Sequence, residues 1–170
     1  EKKAINTSEE ILKEAVNSCL VSDVKLGFNL SGGIDSSLTT AIASESGYIP
    51  NTFTMTLPNK EHDESKYAKN VADKYNTKHT EIEFKPNIFT SLKNHSFFHG
   101  EPFADSSSVS SYAVASETKK HVSVCITGDG GDEVFGGYSN IHFGLKYDNF
   151  IKFIPKQTLT LIKLIHKFLS

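Results

Sequence analysis

The sequence is short of cysteine, with only Cys19 and Cys125 among its 170 residues and no Cys-x-x-Cys pair. That excludes a disulfide framework and a cysteine zinc site, and it suits a reducing, cytoplasmic setting. There is no excess of positive charge either. Eighteen basic residues oppose twenty acidic ones, so no overall field would hold a nucleic acid nonspecifically, and any phosphate must be held locally. No run of about 18 apolar residues occurs, and the opening EKKAINTSEE is too polar for a secretory signal; neither a membrane span nor an export leader is expected. Internal repeats, low-complexity tracts and linkers are missing as well.

What remains is ordinary globular composition, 38% apolar and 22% charged with 11 Gly and 5 Pro. Residues 1–170 have the size of one domain, able to bury roughly 70% of the unfolded surface. The first residue is Glu, and the final TLTLIKLIHKFLS stops inside a helical pattern, so a piece of a longer polypeptide is expected. Ile151 to Leu169 reads as an amphipathic helix packed on protein rather than lying on a membrane.

Helix and strand signals alternate along the chain. Thr7 and Glu10 have capping-box spacing ahead of Ile11, Leu12, Ala15 and Val16, which predicts an opening helix. KLGFNL (Lys25 to Leu30) reads as a strand, SGGIDSS as a tight glycine turn, and Ser37 to Ser46 as a helix. NTFTMTL (Asn51 to Leu57) is a second strand, followed by a helical face of Tyr67, Ala68, Val71, Ala72 and Tyr75. KHTEIEF (Lys78 to Phe84) alternates with period two, helices are expected over Asn87 to Phe98 and Val109 to His121, and HVSVCITG (His121 to Gly128) is a further strand. The pattern predicts an α/β fold, a parallel sheet with helices on both faces, because parallel strands need crossovers of one hand. Both glycine turns follow strands, so they should share the C-terminal edge where such sheets bind ligands.

In Ser31-Gly32-Gly33-Ile34-Asp35-Ser36-Ser37, paired glycines let backbone approach an anion, and the helix that follows presents amides and a positive dipole end. The hydroxyls of Ser31, Ser36 and Ser37 add donors. Asp35 would repel a bare phosphate but makes sense if Mg2+ bridges it to phosphate oxygens. A Walker A ending and a Gly-x-Gly-x-x-Gly fingerprint are both missing, which weakens kinase and dehydrogenase readings. Asp129, Asp132 and Glu133 bring more carboxylates than one sheet edge holds without a cation. The histidines at 62, 79, 95, 99 and 121 lack metal-ligand spacing and are assigned no role.

SGGIDSS resembles the loop shared by asparagine, NAD, GMP and argininosuccinate synthetases, which cleave ATP to AMP and pyrophosphate. Thr127 to Tyr138 (TGDGGDEVFGGY) narrows this, because it closely resembles the signature of the glutamine-hydrolysing asparagine synthetase family. LPNKEHDESKYAKNVADKYNTKHTEIEF and EPFADSSSVSSY extend the likeness over roughly Leu12 to Tyr138. The resemblance implies an adenine nucleotide alpha hydrolase-like (Rossmann-like) fold. It implies ATP and pyrophosphate contacts at Leu30, Ser31, Gly32, Gly33, Asp35, Ser36, Ser37, Met55, Thr127 and Gly128, with Mg2+ on Asp35 and Asp132. Asp129 takes the place of an acid near the reacting acyl group, where Glu is common. Glu101, Asp105 and Ser106 fall where the family shapes its amino-acid pocket, although Val109 or its neighbours stand where some members carry arginine.

The implied reaction activates the side-chain carboxylate of aspartate, or a similar acid, as an acyl-adenylate that ammonia then displaces to give asparagine. Ammonia in the family comes from a glutaminase domain with an N-terminal cysteine. These residues contain no counterpart, so glutamine hydrolysis is not expected of this chain, and a glutaminase domain or subunit is expected in the parent protein. The family also uses a lysine downstream of the Tyr138 motif, for which Lys146, Lys152 and Lys156 are weak stand-ins. Two other readings stay open on the residues: a related amidotransferase or β-lactam synthetase-like enzyme, and an inactive nucleotide-binding fragment.

Overall fold

A computed structural model describes residues 2–57, 63–83, 88–101, 105, 107–152 and 158. The chain divides into two compact units, Glu1–Asp129 and Gly130–Ser170. The first runs α1 (Lys2–Cys19), β1 (Leu26–Asn29), α2 (Ile34–Glu45), β2 (Asn51–Thr56), α3 (Ser65–Lys74), β3 (Lys78–Glu83), α4 (Ile88–His99), α5 (Ser107–Thr118) and β4 (Val124–Ile126). The strands form one four-stranded sheet in the order β3-β2-β1-β4, and every pairing is parallel.

Burial follows the period-two rule. Phe28 stands opposite Thr52 and Asn29 opposite Phe53, so Phe28 and Phe53 point to opposite faces. On one face Phe28, fully buried, packs with Val16 of α1 and Ile42 and Ala43 of α2. Burial of a phenylalanine of this kind contributes about 2–3 kcal/mol. Ala68 and Ala72, one turn apart on α3, are small enough for that helix to settle onto Leu30. On the other face Phe53 clusters with Ile82 and Val122, and α5 packs against β2. Helices therefore cover both faces of a parallel sheet, as expected.

Several boundaries differ from the sequence reading, among them α5, which runs from Ser107 to Thr118 rather than from Val109 to His121. The opening helix already runs from Lys2, so Thr7 and Glu10 lie in its interior and do not cap it. α2 starts at Ile34, three residues early, because Gly33 serves as N-cap. β4 is only three residues long. Thr118, at the end of α5, accepts the N–H groups of both His121 and Val122, which keeps those residues out of the ladder. Phe84 and the expected C-terminal helix, apart from Ile151, Lys152 and Thr158, lie outside the described residues.

Cys125 sits between β4 and β1, where its Sγ donates to Asn29 Oδ1 at 3.1 Å; burial pushes the thiol up to about 11. Among the described residues no helix is long and apolar enough to cross a membrane. The second unit holds α6 (Gly131–Phe135) and α7 (Ser139–Ile151). α6 is bracketed by Gly130 (φ +95°) and Gly136 (φ +68°), both in the left-handed region that glycine enters without steric cost.

Candidate nucleotide site

The chain steps outward from β1 to β2 and β3, then returns to place β4 on the other flank of β1. The ends of β1 and β4 thus flank a switch point, where open α/β sheets form a crevice. β1 leads into the first glycine loop through Leu30, whose N–H donates to Phe53 O at 2.8 Å and whose side chain is buried beneath α3. A Cβ on Gly32 would lie 2.5 Å from Ala68 N and 2.6 Å from Tyr67 Cβ, so the loop is pressed onto the start of α3.

Gly33 then enters α2 in extended conformation (φ −67°, ψ 166°) with no side-chain cap. The first-turn amides of α2 and the positive end of its dipole are left for an anion. Two of the serines hold the loop in shape. Ser36 Oγ, buried, accepts from Ser31 N–H at 3.2 Å, lies 3.0 Å from Ser31 Oγ and donates to Gly33 O at 3.3 Å. Ser31 Oγ accepts from Gly33 N–H at 3.2 Å. Ser37 differs, because its Oγ is buried without a hydrogen-bond partner. Asp35 occupies the first turn of α2, half-buried.

The loop after β4 is laid directly on that turn. A Cβ on Gly128 would stand 2.7 Å from Ser36 N and 2.8 Å from Asp35 C, so only a residue without a side chain passes there. Thr127 and Gly128 are thereby brought beside the SGGIDSS loop at one sheet edge. Asp129 is exposed, and its N–H reaches Thr127 Oγ1 at 3.4 Å. Met55, half-buried near the end of β2, shares the sheet face of its register partner Ile82.

A cradle of backbone amides with no side-chain cap, an unpartnered Ser37 hydroxyl and a glycine-only approach fits a nucleotide's phosphates. Among the described residues no group of three or more His, Cys, Asp or Glu could hold a metal ion. A divalent cation held by one or two carboxylates and substrate phosphates needs no such cage, and Asp35 offers the carboxylate.

In the second unit, Asp132 turns toward its own loop: a Cβ on Gly137 would fall 1.9 Å from Asp132 Oδ1, and Gly137 N–H donates to Asp132 O at 3.0 Å. Glu133 accepts from the Tyr138 hydroxyl, and this bond, followed by a backbone one, lowers its pKa. The glycines of GDGGDEVFGG thus start, stop and close a single helical turn.

The asparagine synthase family model matches residues 7–163. This chain belongs to that family. It is 39% identical over 158 residues to a putative glutamine-hydrolysing asparagine synthetase 2 of Methanocaldococcus jannaschii, covering 91% of this chain and 30% of that protein. It is 33% identical over 140 residues to glutamine-hydrolysing asparagine synthetase 1 of Bacillus subtilis, covering 82% of this chain and 22% of that one. The chain therefore spans less than a third of either relative's length. A solved NH3-dependent NAD synthetase from Campylobacter jejuni overlaps 81% of this chain and 60% of its own at 19% identity and a TM-score of 0.47.

The other family-implied residues are not all gathered at this edge. Glu101 is exposed just after α4, beyond Gly100. Asp105 caps α5: its Oδ1 accepts from Ser107 N–H at 2.9 Å and Ser107 Oγ at 2.7 Å, bonds that lower its pKa. In this asparagine synthase-type chain that carboxylate already has a structural task. Ser106 lies outside the described residues, as does Lys156, while Lys152 is exposed. Sequence reasoning missed Tyr67 and Ala68 as the platform beneath the first loop. Gly32 was the available signal, since a glycine held by close approach needs something to approach.

Proposed function

We propose that this chain is the ATP-pyrophosphatase part of an amide-forming synthetase of the asparagine type. The observation that carries the reading is Gly128 seated on Asp35 and Ser36, which joins the two family loops into one anion-receptive edge. A carboxylate oxygen of aspartate, or a similar acid, attacks the α-phosphorus of ATP. The bond to the β-phosphate oxygen breaks and pyrophosphate leaves, its charge received by the first-turn amides of α2. Ammonia then attacks the acyl carbon, AMP departs, and Asp129 accepts the proton that the nitrogen loses. Mg2+, held by Asp35 and the phosphates, would supply charge neutralisation there. In the parent protein a glutaminase domain or subunit supplies the ammonia.

Calorimetry with Mg-ATP tests the site. Asp35→Asn weakens binding about tenfold, which is about 1.4 kcal/mol. Pyrophosphate release by the parent protein with ammonia and a panel of acids tests the chemistry, with aspartate expected to give the largest rate. Unchanged Mg-ATP affinity in Asp35→Asn, or no acid-dependent pyrophosphate release, would overturn the reading.

A further inference from the structure

The opposite edge of the sheet carries a second concavity. An open cleft of about 730 Å³ lies where the strands begin, lined by Lys25, Asn51, Phe53, Lys78, His79 and His121 among others. Its volume falls within the usual range for small-molecule sites. β2 separates it from the glycine loops by its six residues, or about 20 Å. Four chain segments meet here: Lys25 precedes β1, Asn51 and Lys78 open β2 and β3 in mutual register, and His121 precedes β4.

Among the described residues no Asp or Glu lines the cleft. Lys25 and Lys78 are both exposed, and no carboxylate among the described residues pairs with either. Nearby backbone acceptors are already engaged. Leu26 O accepts from Asn51 Nδ2 at 3.0 Å, Pro50 O from Lys78 N–H at 2.8 Å and Lys25 O from Ser123 N–H at 3.2 Å. The last carbonyls of α2, on Ile42, Ala43 and Ser44, accept from Ser46, Tyr48 and Gly47. The lysines are therefore not needed to satisfy that helix end. The His121 ring lies 5.5 Å from that of Phe53, tilted by 38°, and Ile49, 60% exposed, adds an apolar wall. His79 is half-buried with its Nδ1 2.9 Å from Thr52 Oγ1, and burial lowers its pKa, leaving the charge to the lysines. The lining of the cleft thus combines two lysines that pair with no carboxylate among the described residues with apolar and aromatic side chains.

We propose that this cleft binds a small organic anion, a phosphate or carboxylate head on an aromatic or aliphatic body, at a site separate from the nucleotide loops. Lys25 and Lys78 hold the head, and Ile49 and the His121–Phe53 pair receive the body.

Amide chemical-shift titrations of the chain test this with phenyl phosphate, benzoate, inorganic phosphate and benzyl alcohol. Phenyl phosphate or benzoate shifts the amides of Gly47 to Ile49, Asn51, Lys78 to Thr80 and His121 to Val122 saturably, and the tighter of the two names the head group. Inorganic phosphate and benzyl alcohol, each carrying half of the recognised features, bind more weakly. Lys25→Gln and Lys78→Gln each weaken the organic anion about fivefold while leaving the remaining spectrum folded. Shifts confined to residues 31–37, affinity unchanged from the unsubstituted chain in both lysine variants, or no saturable shift up to about 20 mM would overturn the proposal.

Discussion

The loop after β1 and the turn from Gly130 to Gly137 are both glycine-rich, yet their glycines answer different demands. At Gly32 of the first loop neighbours add their demand to that of a positive φ, because Ala68 N and the Tyr67 Cβ and C atoms lie where a Cβ would go. At Gly130 nothing lies within 4 Å of a Cβ, and only the positive φ calls for glycine. Crowding and dihedral angle are separable requirements, and a motif that looks uniform in sequence mixes the two.

Substitution by alanine separates them. Gly32→Ala meets both demands at once, since φ is +89° and the nearest atom is the backbone N of Ala68 at 2.5 Å. A loss of about 3 kcal/mol or more is expected, from left-handed strain plus overpacking, read as a fall in the urea midpoint. A loss under about 1 kcal/mol would show that the loop is not held against α3.

Gly128→Ala meets crowding alone. It should cost about 1–3 kcal/mol, and the loops should be forced apart, so Mg-ATP affinity falls more than stability does. Stability lost with affinity intact would break the link drawn between the two loops and the nucleotide. Gly130→Ala meets the dihedral alone and should cost about 1 kcal/mol, with Gly130→Asn recovering part of it because asparagine tolerates that region better. Equal costs for all three alanine variants would erase the distinction.

Much of this was legible beforehand because it is local. Strand, glycine turn and helix follow from the apolar spacing around SGGIDSS, and the alternation of elements announces a parallel sheet. The meeting of the two loops was also legible in outline, since both turns follow strands. The missing parts are tertiary. α2 gains a turn because Gly33 can adopt the capping conformation, which no spacing of apolar residues signals. β4 shrinks because the end of α5 claims the amides of His121 and Val122. Asp105 reads as a pocket acid by resemblance, whereas its engagement with Ser107 is a short-range capping choice. The concavity where the strands begin draws its lining from across the sheet unit and leaves no contiguous motif.

The thiol held between β1 and β4 has a practical consequence. Burial pushes the Cys125 thiol up to about 11 and so disfavours its thiolate, whereas Cys19 lies exposed at the end of α1. Alkylating dyes and spin probes are thereby directed to Cys19. Within these 170 residues Cys19 is thus the addressable attachment point, on the face of the sheet covered by α1.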